Sequence, residues 1–208
     1  MIANEAEARR FVSELCAQAM ERLDILAREL AEETERQNLV ARATLPIVWQ
    51  RHIADSAQLL RFSDEGEGPW IDLGSGAGFP GLVIAAMRPQ LPVVLVESRA
   101  RRVEWLERMV EAMGLGNCRV EGRRLEKVES VHAGVISARA FAPLDRLLTL
   151  SSRFSTSRTL WVLPKGRSAE QEVQDLPKNR RAMFHVEQSL TDPEAGIIVG
   201  RGQWSAKA

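Results

Sequence analysis

The chain has 208 residues, 45% hydrophobic and 27% charged, and its 28 basic side chains cancel its 28 acidic ones. That is ordinary globular composition, long enough to bury a substantial core in one domain with a small appendage. Zero net charge argues neither for nor against a nucleic-acid partner; only a local basic patch can decide that.

Cys16 and Cys118 are isolated. Without a C-x-x-C pair there is no signature of a disulfide framework or a zinc site, and both read as small core residues in a reducing compartment. No apolar run approaches membrane-spanning length, and Met1-Ile2-Ala3-Asn4-Glu5 is no signal peptide. The expectation is a soluble, cytoplasmic protein.

In chain order, Asn4 to Arg36 reads as one helix, with Val12, Leu15, Ala19, Leu23, Leu26 and Leu30 in an apolar stripe at intervals of three and four. Pro46 suits a first helical turn, and Ile47 to Phe62 reads as a second helix. Ser63 to Pro69 is a loop by composition. It places a boundary between an N-terminal helical cap, residues 1–66, and a core domain, residues 67–208.

Trp70-Ile71 leads as a strand into Asp72-Leu73-Gly74-Ser75-Gly76-Ala77-Gly78-Phe79-Pro80-Gly81, and residues 81–87 read as the helix that follows. Strand, glycine turn and helix form the context of a nucleotide loop, because glycine lets the backbone turn sharply and approach a ligand. The spacing discriminates: Phe79 stands where a dinucleotide fold wants its third glycine, and no Lys-Ser or Lys-Thr follows to grip a phosphate. The loop resembles the first motif of the class I methyltransferases, which bind S-adenosylmethionine.

Pro92 to Glu97 reads as a buried strand, Arg99 to Met113 as a helix, and Cys118–Glu121, Gly134–Ser137 and Thr159–Leu163 as three further strands. Helices near 143–152 and 168–176 separate them. This alternation argues for a parallel sheet covered on both faces. Met183–Glu187 and Gly196–Gly200 flank a turn-rich segment too short for a helix, which predicts an antiparallel hairpin at the sheet edge. The expected fold is α/β: five parallel strands plus a C-terminal antiparallel hairpin, similar to the Rossmann-like class I methyltransferase sheet, with the helical cap in front.

Ligands in an open α/β sheet sit at the carboxyl ends of the strands. Glu97, ending the second strand, can accept from both ribose hydroxyls, of a nicotinamide cofactor as well as of S-adenosylmethionine. Asp72 is placed to hold an ammonium, or else to cap the turn after it. Arg123-Arg124-Leu125-Glu126 follows the third strand, Arg139 the fourth and Lys165 the fifth. His52 and Asp55 share a helix face, with no further cluster to make a metal site. Arg99, Arg101, Arg102, Arg123, Arg124, Arg42, Arg51 and Arg61 form a phosphate-binding footprint if they share the cofactor face.

Taken together, Asn38-Leu39, Arg51-His52-Ile53-Ala54-Asp55-Ser56, the Asp72–Gly81 loop, Val96-Glu97-Ser98, Arg124-Leu125-Glu126, Ser137-Ala138-Arg139-Ala140-Phe141 and Lys165-Gly166 resemble, in order and spacing, the bacterial 16S rRNA guanine-N7 methyltransferases. These are also called the glucose-inhibited division protein B family. Glu33-Thr34 departs from the Trp-Asn frequent there. The resemblance implies S-adenosyl-L-methionine as cofactor, no metal, and N7 of the guanine at position 527 of 16S rRNA, in the small ribosomal subunit, as acceptor. It implies that Gly74 and Phe79 contact the cofactor, that Leu125 and Glu126 flank its adenine and that Arg139 lies at the cofactor and target base; with Asp72, Gly76, Gly78 and Glu97 from the loop and strand-end reading above, these make up the expected cofactor site. Arg139 and Lys165 then act at the target base, and Arg51, His52, Arg123 and Arg124 bind the RNA, in a monomer. A methyltransferase of another substrate, a non-catalytic nucleotide-binding regulator and an oxidoreductase are the competing readings; Phe79 counts against the last.

Overall fold

The structure, a computed structural model, describes residues 1–63 and 68–205. The first helix of the sequence reading is two. Helix α1 spans Glu5–Leu15, capped by the Asn4 side chain on the Glu7 N–H. The chain breaks at Cys16, with φ −161°. After a 3-10 turn at Ala17–Ala19 it resumes as α2, Met20–Gln37. Leu15 therefore falls off the apolar stripe and is exposed, while Val12, Leu23, Leu26 and Leu30 are fully buried. Periodicity gave no signal of the break, because the spacing of three and four runs through it. An ion pair from Arg9 to Asp24, 2.6 Å, joins the two helices. Asn38 ends α2 in the left-handed region, φ 48°, a conformation asparagine tolerates.

The expected second helix is a mixed helical run. It passes through a 3-10 turn at Arg42–Ile47, a π turn at Trp49–Ala54, a single α turn (α3, Asp55–Ala57) and a 3-10 turn at Gln58–Arg61. Pro46 lies inside the first of these turns.

Then come β1 (Trp70–Leu73), α4 (Gly81–Met87), β2 (Val93–Val96), α5 (Ala100–Ala112), β3 (Cys118–Glu121), β4 (Val135–Ala138), α6 (Leu144–Ser151), β5 (Leu160–Pro164), α7 (Ala169–Gln174), α8 (Lys178–Arg181), β6 (Phe184–Gln188) and β7 (Gly196–Arg201). The sheet order is β3-β2-β1-β4-β5-β7-β6. The first five strands pair in parallel, and β7 runs antiparallel to both β5 and β6. The hairpin sits at the edge, as its turn-rich connection predicts.

Side chains alternate across each strand. Trp70, Leu95 and Val162 enter one apolar cluster, which also takes in α2, α4 and α5. Ile71, Val94 and Leu163 enter the other, covered by α6 and α7. The N-terminal helices thus share a core with the sheet. The boundary expected at 66–67 lies outside the described residues. Glu33 ties α2 to α5 through Arg108, 2.6 Å away, so this acid and Thr34 are buried structural residues.

Gln58 holds the helical run to the hairpin connection. It is fully buried. Its amide nitrogen donates to Ser189 Oγ at 3.1 Å and to Asp55 Oδ1 at 2.9 Å, and its oxygen accepts from the Leu190 N–H at 2.7 Å. Gln58→Leu orphans these buried groups, and its expected cost is about 2–4 kcal/mol in urea unfolding. A loss below about 0.5 kcal/mol, the range of inert surface changes, contradicts this attachment.

Candidate active site

The carboxyl ends of the parallel strands carry two clefts. The smaller, about 220 Å³, opens over β1 and β2 and is lined by Gly74, Glu97, Arg99, Arg102, Arg123 and Leu125, among others. The larger, about 730 Å³, lies over β4 and β5 and is lined by Arg51, His52, Asp55, Arg139, Lys165 and Glu172, among others. Ala140 and Phe141 line both. Ala140 stands at this junction with φ 55°, a left-handed conformation that is uncommon and worth 1–3 kcal/mol of strain, roughly, for a side chain with Cβ.

The glycine loop is held from behind. Asp72 is fully buried. Its Oδ1 accepts from Ser137 Oγ at 2.8 Å, which in turn accepts from Trp70 Nε1 at 2.8 Å, and its Oδ2 accepts from the Gly81 N–H at 3.3 Å. With these partners Asp72 caps the turn into α4 and braces β1 against β4. Gly74, φ +66°, carries its hydrogen where a Cβ would lie 2.4 Å from Phe141 Cδ2. Only glycine lets the Phe141 ring approach the loop this closely. Gly76 and Gly78 share the left-handed region with Gly74 and shape the turn.

Glu97 lines the smaller cleft with most of its capacity used. Oε1 accepts from the Ser98 and Arg99 N–H groups at 2.7 and 2.9 Å, and Oε2 from the Gly76 N–H at 3.1 Å. A carboxylate offers about four acceptor positions. One acceptor position on Oε2 is left open towards the cleft. Leu125, in a 3-10 turn at Leu125–Lys127, lines the same cleft. Glu126 and Arg124 are exposed and outside the lining of both clefts, whereas Arg123 lines the smaller one and pairs with Glu121.

The larger cleft is built around Arg139. Its guanidinium lies 5.0 Å over the Phe79 ring, and NH1 lies 3.5 Å from Asp55 Oδ2. NH2 lies 3.1 Å from His52 Nδ1. The His52 ring stacks on the other neighbour of this group, Phe79, at 5.1 Å. Phe79 is thus a buried platform for His52 and Arg139, and its ring lines neither cleft.

The hydrogen-bond partners fix the histidine tautomer. Arginine only donates, so Nδ1 accepts and Nε2 carries the proton. Nε2 meets Thr44 Oγ1 at 2.8 Å, whose own hydroxyl is given to the Ala41 carbonyl at 2.7 Å. His52 does not bond Asp55. Burial, with the nearby charges of Arg139 and Arg51, pushes its pKa down to about 3. Asp55 Oδ1 also accepts from Thr191 Oγ1 at 2.7 Å.

Lys165 Nζ donates to the Ala142 carbonyl at 2.9 Å and to Glu172 Oε2 at 2.8 Å. Arg51 pairs with Asp192 across the cleft mouth, 3.0 Å. Sequence reasoning missed Thr44, Thr191 and Glu172; for Glu172 the available signal was Ser168, four residues earlier on the helix it enters. Among the described residues no group of three metal-ligating side chains occurs, and no helix is long and apolar enough to cross a membrane.

Two buried groups of the site, His52 and Asp72, act on stability in opposite directions. His52 has a folded pKa below its ordinary 6.5, so its contribution is fully present above that pH and is lost as pH falls. Burial pushes Asp72 up to about 6, so its folded form gains stability as pH falls through 6. From pH 6.5 to 5 the histidine removes about 2 kcal/mol and Asp72 returns about 1 kcal/mol. In urea unfolding at both pH values, His52→Gln is expected to lose the first term and become more stable on acidification. Parallel pH dependences for variant and parent would contradict the burial of a neutral His52.

A family model described as GidB, rRNA small subunit methyltransferase G, matches residues 19–195. The chain is 62% identical over 204 residues to the ribosomal RNA small subunit methyltransferase G of Erythrobacter litoralis, covering 98% of this chain and 99% of that one. It is 58% identical to that of Novosphingobium aromaticivorans, covering 96% and 89%. In fold it is similar to a SAM-dependent methyltransferase from Aquifex aeolicus, with TM-score 0.56 and 14% identity over 74% of this chain and 91% of that one. A mutant of MtNAS in complex with S-adenosylmethionine gives TM-score 0.54 and 15% identity over 95% and 77%. The match spans most of the chain and the identity runs over nearly all of both chains, and the chain belongs to the rRNA small subunit methyltransferase G family.

Proposed function

We propose that this enzyme transfers a methyl group from S-adenosyl-L-methionine to N7 of a single guanine of 16S rRNA, the one at position 527, within the small ribosomal subunit. The smaller cleft fits the cofactor: a glycine-lined turn whose Cβ positions are filled by neighbours, and an acid at the end of β2 with one free acceptor position. When bound, the cofactor supplies a methyl group on a sulfonium centre. Gly74 and the backbone of the loop would hold its amino-acid part, Glu97 a ribose hydroxyl, and Leu125 the adenine. The larger cleft then receives the base, and the two ligands meet at Ala140–Phe141.

The observation that carries this reading is the state of the polar groups around that junction. His52 has Nδ1 engaged by Arg139 and a proton on Nε2. Asp55 and Glu172 are bound by Arg139 and Lys165. The histidine lone pair is engaged and both carboxylates are ion-paired, and guanine N7 needs no proton taken: its in-plane lone pair is already free on the major-groove edge. General-base catalysis is unnecessary. The protein's work is holding N7, methyl and sulfur in line and accommodating positive charge as it moves to the base. Arg139 and Lys165 serve by donating to guanine O6 or to a phosphate, never to N7, since a donor there would occupy the nucleophile. Arg51 and Arg123 supply phosphate contacts at the two mouths. The active species in this reading is a monomer working in the cytoplasm, where subunits are assembled.

Arg139→Ala is expected to lower single-turnover methylation of bound, cofactor-saturated subunits about 100-fold. Methylation at the parent rate would overturn the positioning role.

A further inference from the structure

Guanine and adenine both offer an N7 lone pair on the same edge. Holding N7 in line with a methyl donor does not distinguish them. Discrimination needs groups that read the Watson–Crick edge, where guanine has O6 as acceptor beside N1–H as donor. Adenine has the reverse, an N6 donor beside a bare N1. A site for guanine therefore needs one donor and one acceptor side by side, facing the cleft.

Lys165 and Glu172 provide that arrangement. Nζ and Oε2 are 2.8 Å apart, and both side chains line the larger cleft. Lys165 has three N–H donors; one goes to the Ala142 carbonyl and one to Glu172, which leaves one. The Glu172 carboxylate is fixed by the Leu144 N–H at 2.8 Å, by Lys165, and by Ser168 Oγ at 2.8 Å on Oε1. Oε1 keeps an acceptor position. Burial pushes this carboxyl up, but its bonds from Lys165 and Ser168 outweigh that and hold Glu172 below its ordinary pKa. The open capacity of the pair is thus one donor on Lys165 Nζ and one acceptor position on Glu172 Oε1, joined through the filled Oε2 of the same carboxylate. It is anchored at Ala142, two residues past the Ala140 junction.

Resting on the methyltransferase reading above, we propose that Lys165 and Glu172 are the guanine-reading pair of this enzyme. Lys165 Nζ donates to O6, and the Glu172 carboxylate accepts from N1–H. Arg139 is then left for the phosphate. Adenine in the same pose would set its N6 hydrogens against the ammonium and its N1 lone pair against the carboxylate, two repulsions in place of two bonds. The contact to Glu172 also favours the transition state. As N7 accepts the methyl group, positive charge spreads over the purine and N1–H becomes more acidic. A bond from N1–H to a carboxylate therefore strengthens as the reaction proceeds.

The test uses small subunits reconstituted with rRNA carrying guanine, inosine or 2,6-diaminopurine at the target position, with methyl transfer measured as kcat/KM. Inosine keeps O6 and N1–H; 2,6-diaminopurine keeps N7 and the 2-amine but reverses the other two. The wild-type enzyme is expected to methylate inosine within about 10-fold of guanine and 2,6-diaminopurine at least about 1,000-fold more slowly. In Glu172→Gln, whose amide can offer an N–H to a bare N1, guanine is expected to fall about 30-fold and the preference over 2,6-diaminopurine to narrow, with cofactor affinity unchanged by calorimetry.

Equal loss on all three bases would mean that Glu172 only supports α6 and α7, and would overturn the proposal. So would wild-type turnover of 2,6-diaminopurine at the guanine rate, a result that stands even if the variant fails to fold. Absence of any transfer by the wild type to guanine-bearing subunits would instead remove the functional reading beneath it.

Discussion

The Arg139 guanidinium is the group on which the site's geometry depends. It is three-quarters buried, with 23% of its side chain exposed, and a buried charge is tolerable only when paired and hydrogen-bonded. Its partners come from distant parts of the chain: His52 and Asp55 from the mixed helical run, and the Phe79 ring from the glycine loop. Asp55 is shared with Gln58 and with Thr191 of the hairpin connection. One cation thus draws together the N-terminal helices, the loop after β1, the end of β4 and the edge hairpin. The N-terminal segment walls the larger cleft as well as covering the sheet.

That arrangement explains how the fold supports a reaction in which no proton must be removed. Lone pairs that could act as bases are used to hold cations in place, and in the proposed reading those cations face an RNA phosphate or a base carbonyl. His52, neutral with its proton on Nε2, serves as an acceptor for Arg139. A protonated ring would have no lone pair left for that bond.

Much of this was legible in the sequence because strand periodicity and the glycine turn report local physics. The parallel strands, the hairpin and the strand ends carrying Glu97, Arg139 and Lys165 follow from alternation and turn residues. The break at Cys16 was not legible, since the apolar spacing continues across it, and neither was the mixed π and 3-10 character of residues 42–61. At the site, types and places were legible but partners were not. His52 reaches Arg139 across 87 residues, a contact that no local spacing encodes. For Asp72 the strand-end position admits both a ligand contact and a turn cap. Its burial between Ser137 and the Gly81 N–H is a tertiary fact. Glu172 drew no notice because a helix acid is ordinary until Lys165 is seen 2.8 Å away.

The most direct test of the account is to incubate the purified protein with labelled S-adenosylmethionine and small subunits from cells lacking the modification, and then to map the label. The account predicts label at N7 of one guanine of 16S rRNA and nowhere else in the subunit. Cofactor binding by calorimetry without transfer to that guanine, or label on another atom or on protein, would contradict it.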